Sequence, residues 1–239
     1  MQNFLSLLTV APKMDTGDYV GFTFFVGTMA MMAASAFFFL SMNSFDTKWK
    51  TSILVSGLIT FIAAVHYYYM RDYWATNMES PTFFRYVDWI LTVPLMCVEF
   101  YLILKAAGAT QRHMWVLILV STIMLVFGYL GEGVYPSSAA LLGGISGAAY
   151  FYLFYLIRWG ELKKLAVAAG GPVEKAHNML CWFVLVGWAI YPVGFMAGTP
   201  GWYSGIFGGL EMDVIYNVGD AINKIGFGLV VYNLAVQSK

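Results

Sequence analysis

Six residues of this 239-residue chain could do chemistry together: Arg85, Asp88, Thr92 and Glu99 in one stretch, Asp220 and Lys224 in another. On a helix, the four- and seven-residue spacings of Asp88, Thr92 and Glu99 keep them within about 40° of one face. Arg85 stands one turn earlier, and Asp88 to Glu99 covers about 16 Å along the axis. Asp220 and Lys224, four apart, share a face in the same way. If the two faces meet, Arg85 is followed by the carboxylates Asp88 and Asp220, then by Lys224, then by Glu99. That is a line of titratable groups, the arrangement a proton relay needs.

The elements that hold this line are set by composition. The chain is 60% hydrophobic, 18% aromatic and only 11% charged, whereas a water-facing domain runs near a quarter charged. At about 20 residues per bilayer crossing, this length has room for about seven transmembrane helices. Charge-poor windows run over 19–42, 51–70, 81–104, 114–129, 137–157, 175–196 and 210–236. The fourth is the shortest and should stand nearly upright. Breakers separate them, as in Gly170-Gly171-Pro172 and Gly198-Thr199-Pro200-Gly201. The expectation is an all-α membrane protein, one seven-helix domain over 1–239. The apolar stretch Phe4–Ala11 lacks a basic lead-in and does not read as a cleavable signal.

Basic residues orient the bundle. With the N-terminus outside, the cytoplasmic side holds Lys48, Lys50, Lys105, Arg112, Arg158, Lys163, Lys164, Lys175 and Lys239, and the outer side only Lys13 and Arg71. The expected location is a membrane crossed several times, with lipid as the main neighbour. Thirteen basic against 13 acidic residues leave no basic field for nucleic acid. Two cysteines, Cys97 and Cys181, both in apolar runs, make neither a disulfide framework nor a metal site.

With Lys175 counted to the cytoplasmic connections and Glu132, Glu211 and Asp213 to the outer ones, the formal charges left within the windows are Arg85, Asp88, Glu99, Asp220 and Lys224. Each costs about 2.5–3.5 kcal/mol to insert, so such charges are paired and functional by default. Two structural salt bridges are the plainer alternative. Two cations against three carboxylates leave one negative charge too many, and the simplest resolution is a proton on the isolated Glu99. A neutral acid on the cytoplasmic side makes a poor strut but a natural proton donor.

The stretch from Arg85 to Glu99, Arg-Tyr-Val-Asp-Trp-Ile-Leu-Thr-Val-Pro-Leu-Met-Cys-Val-Glu, closely resembles the proteorhodopsin group of microbial rhodopsins. Asp220-Ala-Ile-Asn-Lys224 and Trp188-Ala-Ile-Tyr-Pro192 extend the resemblance over essentially the whole chain. It implies all-trans retinal bound covalently to Lys224 as a Schiff base, for which a desolvated amine is the expected imine-former. Asp88 is then the counterion and proton acceptor, Asp220 the second counterion balanced by Arg85, and Glu99 the proton donor. Thr92 completes the triplet that separates activities in the group, and Asp and Glu at its ends resemble an outward proton pump. Trp89, Trp188, Tyr191 and Met124 correspond to the retinal pocket; ordinary core packing is the alternative for each. His66 corresponds to a histidine that partners the acceptor and would couple their protonation, the alternative being an imidazole satisfied by a neighbouring hydroxyl. Met96 occupies the colour-tuning position, where an apolar residue goes with green absorption; the alternative is space filling. Gly143, in Gly-Gly-Ile-Ser-Gly, corresponds to a window where a hydroxylated carotenoid antenna lies, with close helix packing as the alternative. His113 and His177 read as water-facing residues at span ends. Relatives assemble as pentamers or hexamers, so a homo-oligomer is implied. A retinal photosensor, another retinal-driven ion transporter and a retinal-free proton relay are the competing functions.

Overall fold

The computed structural model describes residues 15–238, so the reading of Phe4–Ala11 lies outside the described residues. Among the described residues, seven helices are long and apolar enough to cross a membrane: α1 (Tyr19–Ser44), α2 (Thr47–Asn77), α3 (Thr82–Ala107), α4 (Gln111–Val134), α5 (Pro136–Ala169), α6 (Gly171–Gly198) and α7 (Met212–Gln237). There is no strand among the described residues. The seven-helix, all-α expectation holds.

The helices outrun the charge-poor windows, because a helix does not stop where its apolar stretch ends. In α2 the backbone bonding continues past the 51–70 window at both ends, through Lys48 and Lys50 and through Arg71 and Asp72. It stops at Met78, whose left-handed backbone (φ 55°) sends its N–H back to the Trp74 carbonyl. In α4 a π-helical turn, Leu130–Val134, carries the axis beyond Tyr129. In α5 the α-helix Ala139–Arg158 breaks at Trp159 and Gly160 and resumes as Glu161–Ala169.

Each helix packs on the next, and α7 closes the ring against α1 while also touching α2 and α3. Asp18 fixes one corner: its carboxylate accepts from Gly21 N (2.7 Å) to cap α1 and from Trp74 Nε1 (3.1 Å) to tie α1 to α2. Inward faces follow the helical repeat. On α3 the buried series is Arg85, Asp88, Thr92, Met96 and Glu99; on α7 it is Asp213, Tyr216, Asp220, Lys224 and Phe227. The outer faces carry Leu40, Tyr68, Leu119, Leu141 and Ile222, all exposed. Charge inside and bare hydrocarbon outside suit a lipid solvent, not water.

Candidate functional site

The centre of the bundle is an amine between two carboxylates. Lys224 Nζ donates to Asp88 Oδ2 across helices and to Asp220 Oδ2 one turn back on α7 (2.7 Å), with all three side chains fully buried. The contact needs α3 and α7 side by side and running the same way, as alternation in a seven-helix bundle dictates. Tyr191 on α6 donates its hydroxyl to the other Asp220 oxygen at 2.7 Å. Asp88 Oδ1 has no hydrogen-bond partner. Both oxygens of Asp220 therefore accept a hydrogen bond, whereas Asp88 keeps one oxygen free for a proton.

His66 reaches the same group without bonding it. Its Nδ1 stands 3.9 Å from Asp88 Oδ1 and makes its hydrogen bond to the Ile62 carbonyl of its own helix, at 2.8 Å. Thr92 likewise donates to the Asp88 backbone carbonyl (2.9 Å), not to the carboxylate.

Arg85 departs from expectation. It does not face Asp220; its Nη2 pairs with Asp213 Oδ1 at 2.6 Å, and Ser80 donates to the same oxygen at 2.8 Å. The rings of Phe24 and Tyr216, 5.0 and 5.1 Å from the guanidinium carbon, hold the cation at that end of the bundle. Asp213 stands near the start of the last window, where a charge reads as an outer-loop residue. Its seven-residue spacing from Asp220, two turns on the same face, was the available signal. Glu132, also assigned outside, accepts from Tyr86 at 2.7 Å on the π-helical turn of α4.

Toward the opposite end, Glu99 is fully buried and takes one bond, from Ser56 of α2 to Oε1 (2.9 Å), while Oε2 has no partner. It stays apart from the Lys224 cluster, as its spacing required. His177 corrects a second expectation: it is fully buried, bonded through Nε2 to the Ile157 carbonyl at 2.9 Å and set edge-on against Phe100. A position near a span end does not fix direction, and this side chain turns inward. His113 instead closes a capping box with Thr110 at the start of α4 and meets Glu161 at 2.8 Å.

Beside the Lys224 cluster lies a cavity of about 520 Å³, within the size range of small-molecule sites. Trp89, Met124, Gly143, Trp188 and Tyr191 all line it. Trp89 and Tyr191 touch edge to face (4.8 Å between ring centres), so the residue after Asp88 and the partner of Asp220 form the end nearest the amine. Trp188 is buried with its indole N–H unpartnered. Met96 is fully buried but is not part of the cavity wall. A Cβ on Gly143 would strike the ring of Phe195, whereas one on Gly144 or Gly147 would meet nothing within 4 Å.

The family model described as bacteriorhodopsin-like protein matches residues 18–238. The chain belongs to the bacteriorhodopsin-like family. It is 44% identical over 226 residues to the green-light absorbing proteorhodopsin of Gamma-proteobacterium EBAC31A08, covering 94% of this chain and 89% of the relative. To the blue-light absorbing proteorhodopsin of Gamma-proteobacterium Hot 75m4 it is 42% identical over 234 residues, 97% and 92% of the two chains. The crystal structure of blue light-absorbing proteorhodopsin from Med12 superposes with a TM-score of 0.77 at 38% identity, covering 93% of this chain and all of that one. Within the bacteriorhodopsin-like family this chain therefore stands with the proteorhodopsins, as a multi-pass membrane protein.

Proposed function

We propose that this protein is a light-driven outward proton pump whose whole length serves as one retinal-binding unit, with all-trans retinal joined to Lys224. One observation carries the reading: a buried amine, clasped by Asp88 and Asp220, lies next to an apolar, aromatic-walled cavity, one of whose lining residues, Tyr191, bonds Asp220. Likeness to proteorhodopsins supports it. The cavity suits a linear hydrocarbon chain, with Trp89, Trp188, Tyr191 and Met124 as walls and the amine as its point of attachment. Retinal bound there supplies absorption of visible light and a change of shape that redirects the Lys224 nitrogen.

The residues of the chain do the rest. In the dark, Asp88 and Asp220 together balance the cationic nitrogen. Because Tyr191 and Lys224 hold both oxygens of Asp220, a proton leaving Nζ goes to Asp88, whose Oδ1 is free. Thr92, bonded to the Asp88 carbonyl, fixes the backbone of the acceptor, and His66 lies close enough to couple to it. Glu99, buried and separate, returns a proton to Nζ from the other side. Arg85, with Asp213, stands between Asp88 and the end of the bundle where the proton leaves. The balance of Lys and Arg makes that end the outer one, with the N-terminus outside and the C-terminus in the cytoplasm of a bacterial cell. Met96, apolar and buried, goes with green absorption. A homo-oligomer of five or six chains belongs to the proposal, as does a hydroxylated carotenoid against α5 near Gly143. Energy transfer to the retinal fluorescence after adding such a pigment tests the last point; its absence removes it.

Illumination of an unbuffered suspension of retinal-fed cells tests the whole. External acidification abolished by a protonophore is the expected result. A light-induced alkalinisation enhanced by protonophore would mean another ion is moved, and a photocycle lasting seconds would favour the photosensor. Failure to develop a visible band with retinal would leave only a retinal-free relay.

A further inference from the structure

Buried hydroxyls in this bundle have a habitual partner. Thr28, Thr60, Thr92, Ser121 and Thr199 each donate to a carbonyl one turn back on their own helix, the usual fate of such groups in apolar helices. Two serines of α2 depart from this. Ser56 donates to Glu99 Oε1, and Ser52, one turn nearer the start of the helix, makes no hydrogen bond although it is fully buried. Ser52, four residues from Ser56, shares its buried face of α2 and so turns toward the same carboxyl, whose second oxygen, Oε2, is also unpartnered. A buried hydroxyl and a buried carboxyl oxygen, each without a hydrogen-bond partner, cost stability. Such a pair persists where it serves a function.

Ser52 also occupies the right depth. It is five residues into α2, about 8 Å along the axis from Thr47, and Lys48 and Lys50 mark that end of the helix. Trp49 is buried beside it, so Ser52 is the first buried hydroxyl met from the water on this side of α2.

We propose that Ser52 is a proton-relay residue that reloads Glu99 from the cytoplasmic water, while Ser56 holds the carboxyl in place. The inference rests on the donor reading of Glu99. After Glu99 has given up its proton, the Ser52 O–H bond breaks as an O–H bond forms on Glu99 Oε2. The Ser52 oxygen takes a replacement proton on its other lone pair from a hydronium ion at the helix start, leaving water. The serine ends as it began, and the carboxylate is neutral again.

Flash photolysis of the retinal-loaded protein in membrane vesicles tests this. Ser52→Ala should form the same visible band but slow recovery of the protonated donor roughly tenfold, the rate equivalent of one lost hydrogen-bonded carrier. Sodium azide, a small diffusible proton carrier, should restore the rate, as should Ser52→Thr, which keeps the hydroxyl. A Ser52→Ala rate equal to that of the unmodified protein, alongside a slow Glu99→Gln, would overturn the relay and leave the donor reading standing. A slow Ser52→Ala that neither azide nor threonine corrects would mean a packing role and would also overturn it. If Glu99→Gln itself recovered at full speed, the donor reading would fall, and the relay with it.

Discussion

At the residue scale, the site turns on how differently the two carboxylates around Lys224 are treated. Asp220 is bonded through both oxygens and Asp88 through one. In the proposed pump Asp88→Asn removes a counter-charge and the acceptor together, so it should shift the visible band to the red and abolish light-driven acidification, read by absorbance and a pH electrode. Lys224→Ala should give protein that binds no retinal covalently and shows no visible band. Asp213→Asn is a different kind of change. It strips the ion-pair partner from a guanidinium that is 2% exposed, and leaving a buried charge unpaired costs on the order of 3 kcal/mol. Denaturant unfolding should show that loss while the colour barely moves, which separates a stabilising pair from a counterion. The sequence made Asp88, Glu99, Asp220 and Lys224 conspicuous because a charge deep in an apolar run has no cheap explanation. Asp213, Glu132 and His177 lie near span ends, where polar residues are ordinary, and only side-chain direction distinguishes them.

At the element scale, α6 is the irregular member. Its backbone passes through a π-helical turn, Phe183–Gly187, which leaves carbonyls without their usual partners. Side chains from both neighbours supply them: Tyr150 of α5 donates to the carbonyls of Val184 and Leu185 (2.9 and 2.7 Å), and Asn223 of α7 to that of Gly187 (2.7 Å). Asn223→Ala and Tyr150→Phe should each cost about 1 kcal/mol. Because both act on one turn, the double variant should depart from additivity in unfolding measurements. Close approach matters on the same helix: a Cβ on Gly187 would collide with Asn223, and one on Gly194 with the ring of Tyr216. Gly194→Ala should therefore push α6 off α7 and destabilise the bundle by about 1–3 kcal/mol. None of this was visible in the sequence. Period and composition located α6, but a π-helical turn inserts one residue per turn and leaves the hydropathy profile unchanged, so the irregularity had no signature there.

At the scale of the whole molecule, the bundle separates a charged interior from a hydrocarbon exterior and gathers its basic residues at one end. That asymmetry predicts an orientation that can be checked directly. Cys97 and Cys181 are both buried, so a cysteine placed at Lys164 should be the reactive thiol, modified by an impermeant reagent in inside-out vesicles and protected in intact cells. Architecture was legible at this scale, since seven windows and their loops leave few ways to fold. The chemistry needed the α3 and α7 motifs as well. One feature of the cavity bears on how the protein acquires its colour. On the α5 flank, Gly144 and Gly147 have no neighbour where a side chain would begin, and Gly144 is exposed, so no side chain of their own covers the cavity wall there. The expected route for an oily aldehyde dissolved in the bilayer is then sideways between helices, clear of the aqueous loops. Gly144→Trp, which would bar that doorway, should delay the growth of colour after the aldehyde is added while leaving the final tint the same.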